Sequence, residues 1–330
     1  MKKGIIYILI FIVGCIVLFI ANLFLGSVSI PSRAILDILM GNEIEKEAWK
    51  FIILESRIPQ AVTALFTGGG IAVSGLLLQT AFRNPLADAG ILGISAGANL
   101  GVALVILLLG GSVGSLTGFD LSYSLAIVLG AFIGSSVILV IIMGFASVIR
   151  NSIMLLIIGI MVGYLTSSII SILKFWSTSE NAYSFMLWGM GNFSSVSSDQ
   201  LLFYCIVVSV GLLLSVLLIK PLNAMLLGER YAANLGINVK STRFLLLLCA
   251  GLITAITCAF CGPIAFIGLA VPHIARLLLG TSNHKSLLPV TILAGSFIAL
   301  LCNLIIILLG SSGSFPLNAI TPIFGSPFII

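Results

Sequence analysis

Apolar runs of about twenty residues, separated by short polar, glycine or proline breaks, follow one another along almost the whole of this 330-residue chain. About twenty consecutive apolar residues are what an α-helix needs to cross the hydrocarbon core of a bilayer, and a chain built mainly of such runs has few alternatives. Charged residues make up 8% of the sequence and the mean hydropathy is +1.28, against roughly 25% charged residues in soluble domains. The sequence therefore predicts an all-α membrane protein forming a single transmembrane domain over residues 1–330. The punctuation predicts ten spans near 5–25, 58–80, 90–110, 122–146, 153–173, 200–219, 244–262, 264–280, 286–309 and 316–330. Pro272 interrupts the eighth, and Pro316, Pro322 and Pro327 punctuate the tenth; broken helices are tolerated at membrane depth where protein or a water-filled cavity surrounds them.

Little room is left for other classes of function. No stretch is polar enough for a soluble catalytic or nucleotide-binding domain, and there is no G-x-x-x-x-G-K-[ST] sequence. ATP hydrolysis, if it drives the protein, takes place on another subunit. The basic residues are scattered singly, which speaks against nucleic acid as a partner. The six cysteines lie in apolar stretches and read as small hydrophobes. Cys258 and Cys261 have C-x-x-C spacing, but with two histidines in the chain and no second cysteine pair, a zinc site lacks its remaining ligands. No metal or cofactor site is expected. The run from Gly4 to Gly26 is too long for a signal-peptide core and lacks an A-x-A end, so it reads as a retained first span. At the other end, Pro327 to Ile330 without a polar tail reads as a C-terminus from which natural residues are missing.

Orientation is expected from the basic residues. With the N-terminus inside, the inner loops hold ten Lys and Arg against Asp88 and Glu229, and the outer loops hold five against eight acids. That split predicts N-in and C-in. Gly93, Gly97 and Gly101 recur every four residues, as do Gly159 and Gly163; such spacing lets helix backbones approach closely. Gly93 to Gly97 also matches the G-x-S-x-G nucleophile elbow, but it lies in an expected membrane helix, with no histidine-acid pair in sequence reach. No H-E-x-x-H is present either, so an intramembrane enzyme lacks its catalytic residues. No strong tandem repeat is visible.

The most informative stretch begins with Arg57, Pro59 and Gln60 and continues through Gly68 to Gly70, then Ser74, Gly75 and Gln79. It ends on Arg83, Asn84, Pro85, Leu86, Ala87 and Asp88, then Leu92 and Gly93. Pro85 forbids helix continuation and forces a turn at the inner end of the second span. Further on come Gly262 to Arg276, with Pro272 and His273 inside, then His284, Lys285 and Leu287 to Pro289. Between them lies a polar segment with Leu227, Gly228, Ala232, Ala233, Leu235 and Gly236. Taken in order, these motifs resemble the FecCD-type permease subunits of ABC importers for ferric siderophores, haem and cobalamin. That family carries R-x-P-R, S-G-x-x-x-Q, R-N-P-L-A, G-x-I-x-F-I-G-L-x-x-P-H-x-x-R and L-L-P.

The resemblance implies a type II ABC importer permease fold in a bacterial inner (plasma) membrane. It also implies a homodimer in lipid with the pathway between two copies, two separate ATP-binding subunits, and an extracytoplasmic substrate-binding protein. By it, Asn84, Leu86, Asn151 and Ser152 form the cytoplasmic gate. Leu227, Gly228, Glu229, Arg230, Ala232, Ala233, Leu235 and Gly236, within the segment 220–243, couple to the ATPase. Arg57 and Gln60 face the binding protein, Arg57 as a charge at the rim, so that Arg57→Glu weakens docking and leaves folding intact. Arg83 and Pro85 shape the gate turn, and Pro272, His273 and Arg276 break and cap the eighth helix at the cytoplasmic face.

Two positions depart from the family pattern. Gln60 stands in place of the second arginine, and Cys302 and Asn303 stand where many relatives have Ala-Asp. The function expected is ATP-driven uptake of a bulky metal chelate by alternating access. The alternative is an ion-coupled secondary transporter without an ATPase, which typically needs an intramembrane carboxylate; the expected spans contain none.

Overall fold

The computed structural model describes residues 2–42, 46–108, 110, 123–149, 152–310 and 315–328. Every regular element among them is helical: α1 Lys2–Phe24, α2 Ser32–Leu39, α3 Glu47–Phe82, α4 Ile94–Leu108, α5 Tyr123–Val148, α6 Ser152–Trp176 and α7 Ser179–Gly189. These are followed by α8 Ser198–Leu217, α9 Ile219–Leu226, α10 Glu229–Asn234, α11 Val239–Cys261, α12 Ile267–Leu279, α13 His284–Leu309 and α14 Leu317–Gly325. Seven of them (α1, α3, α5, α6, α8, α11 and α13) are long and apolar enough to cross a membrane. The third, eighth and tenth expected spans appear as α4, α12 and α14. With 13 residues in α12 and nine in α14, a rise of about 1.5 Å per residue leaves both well short of a hydrocarbon core of about 30 Å.

The helix α3 occupies the centre, and nearly every residue from Ala61 to Phe82 is buried. Around it pack α13, α11, α12 and α8, while α1 lies outside against α13. Since lipid gives no hydrophobic drive for helices to associate, close backbone approach and internal hydrogen bonds must hold the bundle together. The glycine ladder supplies part of this. A Cβ on Gly101 would run into the Gly130 carbonyl oxygen, and one on Gly97 would stand 2.5 Å from that of Gly134. Thus α4 and α5 touch backbone to backbone. Gly159 meets Ile91 and Leu92, whereas nothing approaches Gly163.

Ser74 shows how the polar groups of α3 are satisfied in an apolar interior. Its Oγ donates to the Ala250 carbonyl at 2.9 Å and lies 2.8 Å from Thr254 Oγ1. Thr67 Oγ1 pairs with the Tyr204 hydroxyl at 2.6 Å.

Two helices, and the early start of a third, were not expected. The apolar face of α2 (Ile35, Ile38) packs with Ile30 and Ile53 in a small cluster of its own. The helix α7 starts at Thr178, whose side chain accepts the Asn181 N–H at 3.3 Å. And α3 begins at Glu47, eleven residues earlier than its apolar run suggested, with one wide π turn over Ile52–Arg57. Pro59 offers no N–H to the Glu55 carbonyl, which accounts for widening at that place.

Candidate functional site

Where α3 ends, Arg83 adopts a left-handed conformation (φ 48°). Its N–H donates to the Thr80 carbonyl at 3.2 Å and the Asn84 N–H to that of Gln79 at 3.1 Å, the paired bonds of a Schellman cap. Pro85 follows, and Asn84 Oδ1 accepts the Leu86 N–H at 2.9 Å. The turn is thus self-supporting, and it leaves the Leu86 side chain 51% exposed. Beyond it the chain folds back into the bundle. The Asp88 carboxyl accepts the Gly90 N–H at 3.3 Å and packs where a Cβ on Gly268 would stand. Asp88 therefore lies against α12 within the segment that joins α3 to α4. Asn151 lies outside the described residues, and of Ser152 only its helix is described. That helix, α6, packs its Gly159 on Ile91 and Leu92, in the segment that follows the Arg83 turn.

Pro272 is inside α12, not at its end, which corrects the expected break. Without an N–H, Pro272 leaves the Gly268 carbonyl four residues back without its helical donor. Gln79 of α3 supplies one: its Nε2 donates to the Gly268 carbonyl at 3.4 Å and to that of Leu269 at 3.2 Å. Arg276 in turn donates to Gln79 Oε1, and its Nε to the Pro272 carbonyl at 3.3 Å. Gly75 makes this possible, because a Cβ there would collide with the Gly268 carbonyl. Glycine, glutamine, proline and arginine of two distant motifs therefore form one joint between α3 and α12. His273 sits half-buried within the helix, and the C-terminal cap falls to Gly280.

The segment 220–243 folds as α9, α10 and the first turn of α11. Leu222, Met225 and Ala232 are fully buried and hold it to the bundle. Glu229 is ion-paired with Arg243, fixing α10 to α11. Gly228, at φ 113°, makes the corner between α9 and α10. Leu227, Tyr231 and Leu235, spaced by four, are 63%, 65% and 61% exposed. Arg230, Ala233 and Gly236 are exposed beside them.

At the opposite end, Arg57 is not the free rim charge expected. It is buried, donating from Nη1 to the Leu23 carbonyl at 2.7 Å and that of Phe24 at 3.4 Å, and from Nη2 to that of Val28. Two of these are carbonyls that α1 leaves unpaired at its C-terminus. Gly26 permits the approach, since a Cβ there would meet the guanidinium. Gln60 Nε2 donates to Asn303 Oδ1 at 2.9 Å, and Asn303 Nδ2 donates to Asn22 Oδ1 at 2.8 Å. Arg57, Gln60, Asn192, Ser194 and Asn303 line a recess of about 240 Å³. The sequence alone does not pair Gln60 with Asn303, or Asn303 with Asn22, although Gln60 and Asn303 are both departures from the family pattern. Among the described residues no three His, Cys, Asp or Glu side chains gather as metal ligands.

The model of the FecCD transport family matches residues 14–330. The hemin transport system permease protein HmuU of Yersinia pestis is 32% identical over 325 residues, covering 96% of this chain and 93% of that protein. The vitamin B12 import system permease protein BtuC of Citrobacter koseri is 33% identical, covering 85% of this chain and 82% of that one. Among solved structures, an inward-facing metal-chelate type ABC transporter superposes with a TM-score of 0.83 at 27% identity, over 98% of this chain and 96% of the other. With seven span-length apolar helices and the shorter apolar α4 and α12 among the described residues, and the motif residues joined as described, the chain is a multi-pass inner-membrane permease and belongs to the FecCD transport family.

Proposed function

We propose that the chain is the membrane subunit of an ATP-driven importer that carries a bulky metal chelate of the haem or cobalamin kind inward. It would work as a homodimer, with two separate ATP-binding subunits and an extracytoplasmic binding protein. The observation that carries this reading is the segment from Lys220 to Arg243. It is anchored by buried Leu222, Met225 and Ala232 and by the Glu229 ion pair, yet it displays Leu227, Tyr231 and Leu235. An exposed apolar row rimmed by polar residues on a rigid support is a protein-docking surface, and no part of the described chain covers it. The ATPase is its natural occupant, because the chain carries no G-x-x-x-x-G-K-[ST] sequence.

Motion there reaches Asn84 and Leu86, which with Asn151 and Ser152 of each copy close the pathway on the side with the Arg83 turn. A constriction of small polar and apolar groups closes without stranding charge. The binding protein docks over the recess at the other end. Arg57 shapes that recess by capping α1, and Gln60 contributes an uncharged contact.

An ion-coupled transporter would need a carboxylate to bind its ion, and among the described residues Asp88 is a carboxylate packed against a helix of the bundle. It is engaged in its own turn with Gly90, so the secondary-transport reading gains little from it. Purifying the tagged chain from its native membrane tests the proposal. An ATP-hydrolysing subunit retained at one-to-one stoichiometry is the expected result, whereas a chain that purifies alone and transports under an ion gradient would sink it.

A further inference from the structure

The helices α9 and α3 do not merely touch; a buried histidine from a third helix bonds them to each other. His284, the first residue of α13, is 1% exposed. Its backbone N–H donates to Asn223 Oδ1 of α9 at 2.8 Å, which fixes the orientation of that amide. Asn223 Nδ2 then donates to Asn283 Oδ1 at 3.0 Å. Because Asn223 Oδ1 is an acceptor, His284 Nδ1, 3.0 Å away, must carry a proton. In a neutral ring Nε2 is then the acceptor, and the Thr80 hydroxyl of α3, 2.9 Å away, shares its one proton between that nitrogen and the Leu76 carbonyl at 3.0 Å. The carbonyl of Thr80 accepts the Arg83 N–H that ends α3 and sets the turn presenting Asn84 and Leu86. A continuous set of hydrogen bonds thus runs from α9 through His284 to the end of α3.

We propose that His284 is the positioning residue that passes motion of the α9–α10 segment to the Asn84–Leu86 turn. The proposal rests on the functional reading above, which places the ATPase on that segment. Asn223 and Thr80 cannot separate without leaving a ring nitrogen of the buried His284 unpaired, a costly state. They are consequently obliged to move together with the first turn of α13, and a displacement of α9 becomes a displacement of the last turn of α3. Van der Waals contact alone would allow the two helices to slide.

Thr80→Val removes the hydroxyl at nearly constant shape, Thr80→Ser keeps it, and His284→Leu breaks the bridge from the α13 side. In the reconstituted complex with its ATPase, spin labels at exposed position 234, at the end of α10 and outside the Leu227, Tyr231 and Leu235 row, report the docking segment and labels at position 86 report the gate, each measured between the two copies with and without ATP. In wild type and Thr80→Ser, ATP should shift both distances. In Thr80→Val and His284→Leu the 234 distance should still shift, while the ATP-induced population change at 86 falls about fivefold or more. A complex that assembles and moves position 86 normally in Thr80→Val and His284→Leu overturns the bridge alone. A wild-type chain that retains no ATPase overturns the functional reading and the bridge with it.

Discussion

Gln60 Nε2 lies 2.9 Å from Asn303 Oδ1, joining α3 to α13 across 243 positions of sequence. These are the two positions at which the chain departs from the charged pattern that it otherwise resembles. The departures are therefore one feature: a neutral amide pair, continued to Asn22, stands where an arginine and an aspartate would face each other.

This relationship predicts compensation. Asn303→Asp alone places an uncompensated charge at a site 1% exposed, which costs about 3 kcal/mol or more. Adding Gln60→Arg should recover most of the loss. Thermal unfolding of the purified protein in detergent measures it, and a double variant no more stable than Asn303→Asp would refute the pairing.

Arg57 is expected to act on folding. Arg57→Ala removes charge-assisted bonds to the end of α1, each of the order of 1.5–3 kcal/mol. Gly26→Ala pushes a methyl group into the same guanidinium. Both should lower the midpoint of thermal unfolding, and their combination should cost less than the sum because they damage one contact. Strict additivity of the two would show that Gly26 and Arg57 act separately.

The joint between α3 and α12 makes a sharper case. Gln79→Ala leaves the Gly268 carbonyl without the donor that Pro272 denies it, at a cost of about 1–3 kcal/mol. Pro272→Ala gives the helix its own N–H for that carbonyl. In the Pro272→Ala background the Gln79→Ala penalty should shrink, as read from denaturation midpoints of the four proteins of the cycle. An equal penalty in both backgrounds is the result that rules out the substitution of side-chain for backbone donor.

Tyr231→Asp and Leu227→Asp should leave stability within about 0.5 kcal/mol, since both side chains are exposed. They should nevertheless abolish retention of the ATPase during purification. Retention at wild-type level in the double variant would move the docking surface elsewhere.

Much of this organisation was legible in the sequence because it depends on local pattern. Apolar runs fixed the helices, Pro85 fixed the turn after α3, and four-residue glycine spacing marked the faces where α4 and α5 meet. A polar segment without an apolar run marked α9 and α10. Short helices such as α2 and α7 escaped because they carry no span-length apolar signal.

What only the tertiary structure decided is the fate of individual polar groups. Arg57 read as a surface charge because it is charged and ends a loop, yet it is buried on the carbonyls of α1. Pro272 read as a helix break, yet Gln79 from 193 positions away supplies the donor that keeps α12 continuous. Hydrophobicity is proportional to area and needs no particular partner, so it can be read residue by residue. A buried hydrogen bond is directional and must find its partner within about 3 Å, and the chain order does not say which distant helix will bring it there.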